Sequence, residues 1–222
     1  MTGDEAKEVL GIIQRIGPVV LSSAVDLSGT VGTSLRRAVG MMVADRDLTD
    51  PQSFCFAFNV CVDLARHCNA TLVTMDRVRK AALAETPVTL PGIGVVMNIV
   101  RLTLATEARI VAYMTFASRD DADQVAAQMN DAFSDTEEAA ADDLDAGTYM
   151  ALLRLHGDVT QLLADRGRQL PRVIAYNYRA VMPSLRMAQR AYADPSRHQE
   201  LIDENGVVHP AFMPSSGIML AV

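Results

Sequence analysis

Between Pro51 and Glu85 apolar residues return every three or four positions: Phe54, Phe58, Cys61, Leu64 and Ala65, Cys68, Leu72 and Met75. That period lays a single apolar stripe along a helix. Asp50 supplies an N-cap, Pro51 suits the first helical position, and no Gly or further Pro intervenes before Thr86-Pro87. The pattern therefore predicts one long helix over 51–85. A second is expected from about Pro91 to Phe116. Ser118, followed by Asp120, Asp121 and Asp123, reads as an N-cap with acids in the first turn of a helix running through Phe133. A further amphipathic run, Glu137 to Arg168, puts Leu144, Leu152, Leu155, Val159, Leu162 and Leu163 on one side, with Gly147 and Gly157 as weak points. Residues 4–46 are also helical in pattern, interrupted around Pro18, Gly29 and Gly32.

After Leu170-Pro171 the period changes. Val173, Ala175 and Asn177 alternate with Arg172, Ile174, Tyr176 and Tyr178, a β-branched and aromatic alternation bounded by Pro171 and Pro183 that predicts a strand. Two short helices follow, Ser184 to Tyr192 and Pro195 to Glu204, the second ending at Asn205-Gly206 in a left-handed cap. Gly217 to Val222 is expected as a final strand. Two strands joined through two helices in so short a unit should lie adjacent and antiparallel to close a core. The expected fold class is mainly α: a helical domain over 1–169 and a small C-terminal α+β module, β-α-α-β, over 170–222.

Charge narrows the function classes. The chain of 222 residues has a net charge of −7, and Lys7 and Lys80 are its only lysines. No basic footprint for a phosphate backbone stands out, so nucleic acid is not an expected partner. Residues 119–145 hold ten acids against Arg119, a local balance of −9, leaving +2 for the rest. Such a run reads as a solvated helical face or as an acidic docking surface. Met1 to Arg15 carries Asp4, Glu5, Lys7 and Glu8, which is not the pattern of a signal peptide. The most apolar stretch, Val88 to Thr106, contains Pro91, Gly92, Asn98 and Arg101, so a buried helix is expected rather than a membrane span.

Candidate chemistry is sparse. Cys55, Cys61 and Cys68 are spaced six and seven apart on one expected helix, which forbids a bridge or a shared metal and predicts reduced, buried thiols. His67, His156, His198 and His209 are dispersed without metal-ligand spacing. Gly29 to Ser34 is glycine-rich but lacks the Lys-Ser/Thr ending of a phosphate loop, and Gly92-Ile93-Gly94 is weaker still; helix breaks account for both. The acids of 119–145 lack the apolar cleft that a raised catalytic carboxyl needs. No catalytic residue, metal or cofactor is expected.

The C-terminal stretch carries a resemblance. Asp194-Pro195-Ser196-Arg197, Glu200-Leu201, Asn205-Gly206-Val207, His209-Pro210-Ala211-Phe212-Met213-Pro214 and Gly217-Ile218-Met219-Leu220 resemble a LysM module as phage tail proteins use it. In that reading Gly206 ends the helix, Val207 and Phe212 fill the core, and Pro210 and Pro214 stiffen the turn. With Arg168-Gln169-Leu170-Pro171 and Pro183-Ser184-Leu185 upstream, residues from about Leu152 to Val222 are similar to the C-terminal region of the DNA circularisation protein family of Mu-like phages. The β-rich N-terminal domain of that family, with its Trp-Arg and Pro-Ala-Ser-Phe-Arg-Gly signatures, has no counterpart in this sequence. The resemblance implies a non-enzymatic structural protein of a contractile-tail baseplate in the virion, made in the host cytoplasm. Its partners would be tail-tube, hub and wedge proteins and copies of itself in threefold or sixfold symmetry. It also implies a groove between Val181, Met182 and Pro183 on one side and Gly206, Val207 and Phe212 on the other, with Asn205 and His209 as polar rim groups. Peptidoglycan is the alternative occupant of that groove.

Overall fold

The structure, a computed structural model, describes residues 2–45 and 50–221. Helices α1 (Gly3–Ser23), α2 (Gly29–Ala44), α3 (Pro51–His67), α4 (Leu72–Leu83), α5 (Leu90–Val111), α6 (Arg119–Asp142) and α7 (Ala146–Gly167) precede β1 (Val173–Asn177), α8 (Ser184–Tyr192), α9 (His198–Glu204) and β2 (Ser216–Leu220). The protein is thus mainly α with a small C-terminal α+β module. Two compact units divide the chain, residues 1–114 with 129–159 and residues 115–128 with 160–222. No helix among the described residues is long and apolar enough to cross a membrane.

In the first unit α1 packs against α2, α3, α4 and α5. Its Val9, Ile12, Ile13, Ile16 and Val20 recur at helical spacing and are all buried, meeting Leu35, Phe54, Phe58, Met75, Val78 and Ile99 in one core. The long helix expected over 51–85 is two helices. The α3 start follows expectation, with Asp50 accepting the Ser53 amide at 2.9 Å. At its end Asn69 turns left-handed at φ 60°, and the Cys68 carbonyl, freed from helical pairing, accepts the Val25 and Asp26 amides at 3.1 Å each. Thr71 and Thr74 then cap α4 reciprocally. The entry to α5 is held from outside: the Glu8 carboxylate accepts the Val88 and Thr89 amides at 2.7 and 3.0 Å and the Thr89 hydroxyl. These bonds, the Thr89 hydroxyl foremost, hold the Glu8 carboxyl below its ordinary range. Gly92 is required by this approach, because a Cβ there would lie 2.5 Å from Glu8 Oε2.

The break expected between Phe133 and Glu137 is absent. Thr136 turns its hydroxyl back onto the Ala132 carbonyl at 2.7 Å and stays in α6. The chain breaks instead at Leu144, φ 55° and 89% exposed, which removes Leu144 from the expected apolar stripe; Leu152, Val159 and Leu163 are buried. The acidic run is less solvated than a bare charged face. Asp143 and Asp145 pair with Arg101, and Glu137 meets His156 at 3.0 Å. Asp121 and Ser118 cap α6 reciprocally, and Asp120 accepts the Val173 amide at 2.8 Å.

In the second unit β1 and β2 form an antiparallel pair with Val173 opposite Leu220 and Asn177 opposite Ser216. The expected last residue of the final strand, Val222, lies outside the described residues. Tyr176, Met182, Met187, Ala188, Tyr192, Leu201, Ile202 and Met213 form the core, with Val207 packed at its edge. Phe212 is not part of it. Met182 and Met213 form an antiparallel bridge, and this extended pairing turns Met213 inward and its neighbour Phe212 out, leaving the ring 67% exposed.

Candidate functional site

The C-terminal module is fastened by polar groups drawn from its turns. Asn205 at the end of α9 donates to the Leu201 carbonyl at 2.8 Å and the Ile218 carbonyl at 2.7 Å, and accepts the Ile218 amide at 2.9 Å. Its carboxamide thus acts as an added strand edge for β2, spent within the fold rather than offered on a rim. Gly206 follows at φ 57°, the expected left-handed stop. Gly217 admits the clamp, since a Cβ there would collide with Asn205 Oδ1 and the Tyr176 hydroxyl. Tyr192 closes the other end by accepting the Leu220 amide at 3.2 Å, and burial pushes its phenol above the ordinary value.

The two loops expected to wall a groove, 178–183 and 207–215, are hydrogen-bonded to each other. The Tyr178 amide donates to the Ser215 carbonyl at 2.6 Å, Met213 to Met182 at 3.1 Å and Ser184 to Pro210 at 2.7 Å. Met182 is consequently buried in the core, its remaining surface forming part of a cleft with Val181, while Pro183 caps α8 and is exposed. Val207 is half-buried. Facing outward are the apolar Val181, Val208 and Phe212, 55%, 98% and 67% exposed, together with Arg179. His209 is also exposed, its ring 5.2 Å from that of Phe212.

A second feature of the module is electrostatic. Asn177, Tyr178, Arg179, Val181, Arg186 and Arg190 line a cleft of about 370 Å³. The Arg190 guanidinium lies over the Tyr178 ring, 4.9 Å from its centroid. Arg197, outside this cleft, stacks 3.8 Å over Tyr192 and pairs with Glu200 at 2.6 Å, which raises its pKa further. The arginine cleft does not follow from the turn motifs. Its sequence signal is the i,i+4 spacing of Arg186 and Arg190 within a stretch, Leu170 to Ala193, that carries no acid.

Elsewhere, an apolar cleft of about 590 Å³ includes Met41, Met42, Phe56 and Ala57, with Met41 and Phe56 well exposed. Cys61 and Cys68 are buried and Cys55 half-buried; burial pushes the Cys61 thiol up to about 11. Among the described residues no group of His, Cys, Asp and Glu is arranged to hold a metal ion. No protein-family model matches the chain, and no curated protein sequence matches it.

Proposed function

We propose that this chain is a non-enzymatic structural protein of a phage contractile-tail baseplate, docking onto tail-tube, hub or wedge proteins through its C-terminal β-α-α-β module. The observation that supports this reading is the outward set Val181, Val208 and Phe212 on two loops already bonded to each other. Fully burying a large apolar side chain is worth about 1.5–3 kcal/mol, and a rigid platform loses little entropy when it docks. Aromatic anchors such as Phe212 dominate interfaces of this kind. Repetition in threefold or sixfold symmetry would multiply a modest site into a stable ring.

The test is co-expression of the full chain with the tail-tube and hub proteins of its own genome. Phe212→Asp should fold with unchanged thermal stability, because the ring is exposed, yet drop out of purified tails. Undiminished incorporation of the variant would refute docking through this face. Peptidoglycan binding is the second reading, favoured by the exposed His209–Phe212 ring pair, which offers a sugar platform. Retention of the full chain on insoluble peptidoglycan, lost on Phe212→Asp without any assembly defect, would establish it instead.

A further inference from the structure

Arg179 lies on the loop after β1, Arg186 and Arg190 stand one turn apart on α8, and all three arginines line one cleft. None of the three forms an ion pair with a described carboxylate, in contrast with Arg15, Arg66, Arg79, Arg101, Arg119 and Arg197. The cause is compositional: Leu170 to Ala193 contains Arg172, Arg179, Arg186 and Arg190 and no Asp or Glu. In a protein whose net charge is −7, three unneutralised arginines sharing a concave surface are a local inversion of sign. A bound anion would relieve their mutual repulsion, and the stacking of Arg190 on Tyr178 holds one fork in place beforehand.

We propose that this cleft binds a phosphomonoester, the phosphoryl group held by Arg179, Arg186 and Arg190 and the uncharged organic part lying along Tyr178 and Val181. A phosphate monoester brings about −1.5 to −2 charge and three acceptor oxygens, which suits several forks better than a single carboxylate does. The cleft, about 370 Å³, falls at the small end of ligand sites and exceeds the needs of a bare phosphate. The site shares Val181 with the proposed docking face but does not depend on that reading, and its test requires no tail protein.

The experiment is calorimetric titration of the full chain at low ionic strength with glycerol 3-phosphate and inorganic phosphate, and with glycerol as the neutral control. Saturable binding is expected for both phosphates and none for glycerol, with the ester at least about threefold tighter because it also uses the Tyr178 wall. Arg186→Ala and Arg190→Ala should each weaken binding about tenfold, the loss of one charge-assisted hydrogen-bonding fork. Arg186→Lys should recover only part, and Arg172→Ala, outside the cleft, should bind as the parent does. Absence of saturable phosphate binding, or an equal loss in Arg172→Ala, would overturn the site. Equal affinity for ester and inorganic phosphate would overturn the phosphomonoester assignment. Circular dichroism of each variant, expected to superpose on the parent, separates loss of ligand from loss of fold.

Discussion

Glu107 is fully buried on α5, where Arg79 of α4 donates to its Oε1 at 3.2 Å while its Oε2 has no partner. Arg79 is shared with Asp76, which also holds Lys80 at 2.6 Å, so the cluster's positive charge is divided. Burial outweighs the attraction of Arg79 and pushes the Glu107 carboxyl up to about 7, from an ordinary value of 4.5. Between those values the unfolded chain releases a proton that the folded chain keeps, so stability falls as pH rises through this window and is lowest above it. The difference corresponds to about 3 kcal/mol. Glu107→Gln should therefore raise the melting temperature at pH 8 and leave it nearly unchanged at pH 4, flattening the profile between. A variant with the parent's pH slope would place the buried charge elsewhere. None of this is legible in the sequence, where Glu107 is an acid in a helical run; only the packing of α4 on α5 reveals it. Phe212 shows the opposite failure. Its motif was legible but the side was not, because a one-residue difference in an extended segment exchanges inward and outward faces, and Met213 took the core.

Helix existence followed from spacing and capped starts such as Asp50-Pro51 followed from their residues, whereas breaks within a continuous stripe did not. The stripe from Phe54 to Met75 continues in register across the α3–α4 junction, so periodicity alone saw one helix where there are two. The signal was present in Cys68-Asn69-Ala70-Thr71: Asn tolerates the left-handed conformation better than other non-glycine residues, and a threonine three residues before another forms a reciprocal cap. Absence of Gly and Pro was the wrong criterion, because here the break is fixed by tertiary bonds from Val25 and Asp26 to the Cys68 carbonyl. If Asn69 carries this turn, Asn69→Gly should be neutral or stabilising in thermal unfolding, and Asn69→Ala should cost about 1 kcal/mol through its positive φ. Equal melting temperatures for the two would show that the junction does not depend on this conformation. The β-α-α-β module fared better at this scale. Its strand pairing and its Asn205-Gly206 stop are as the alternation and turn residues predict, since both are local signals. The internal role of Asn205 is not local, because the atoms it binds on Ile218 lie thirteen residues away.

For the whole molecule, the proposed docking has two candidate routes. One is through the outward acids of α6, Asp131, Asp135, Glu138 and Asp142, and the other through the apolar rim of the C-terminal module. Salt separates them. The Debye length shrinks from about 10 Å at 0.1 M to about 3 Å at 1 M, which removes most of the attraction between exposed charges while leaving apolar burial intact or strengthened. If docking runs through Val181, Val208 and Phe212, tails purified with the chain in place should retain it through a wash at about 1 M salt. Phosphate binding by Arg179, Arg186 and Arg190, measured on the free chain, should weaken progressively over the same range. Release of the chain by salt, with Phe212→Asp still able to assemble, would transfer the docking role to the acidic face of α6. Retention in salt together with loss on Phe212→Asp assigns affinity to the module's apolar rim and leaves the acidic face to steer encounter and orientation, a kinetic role that slower association at high salt would reveal.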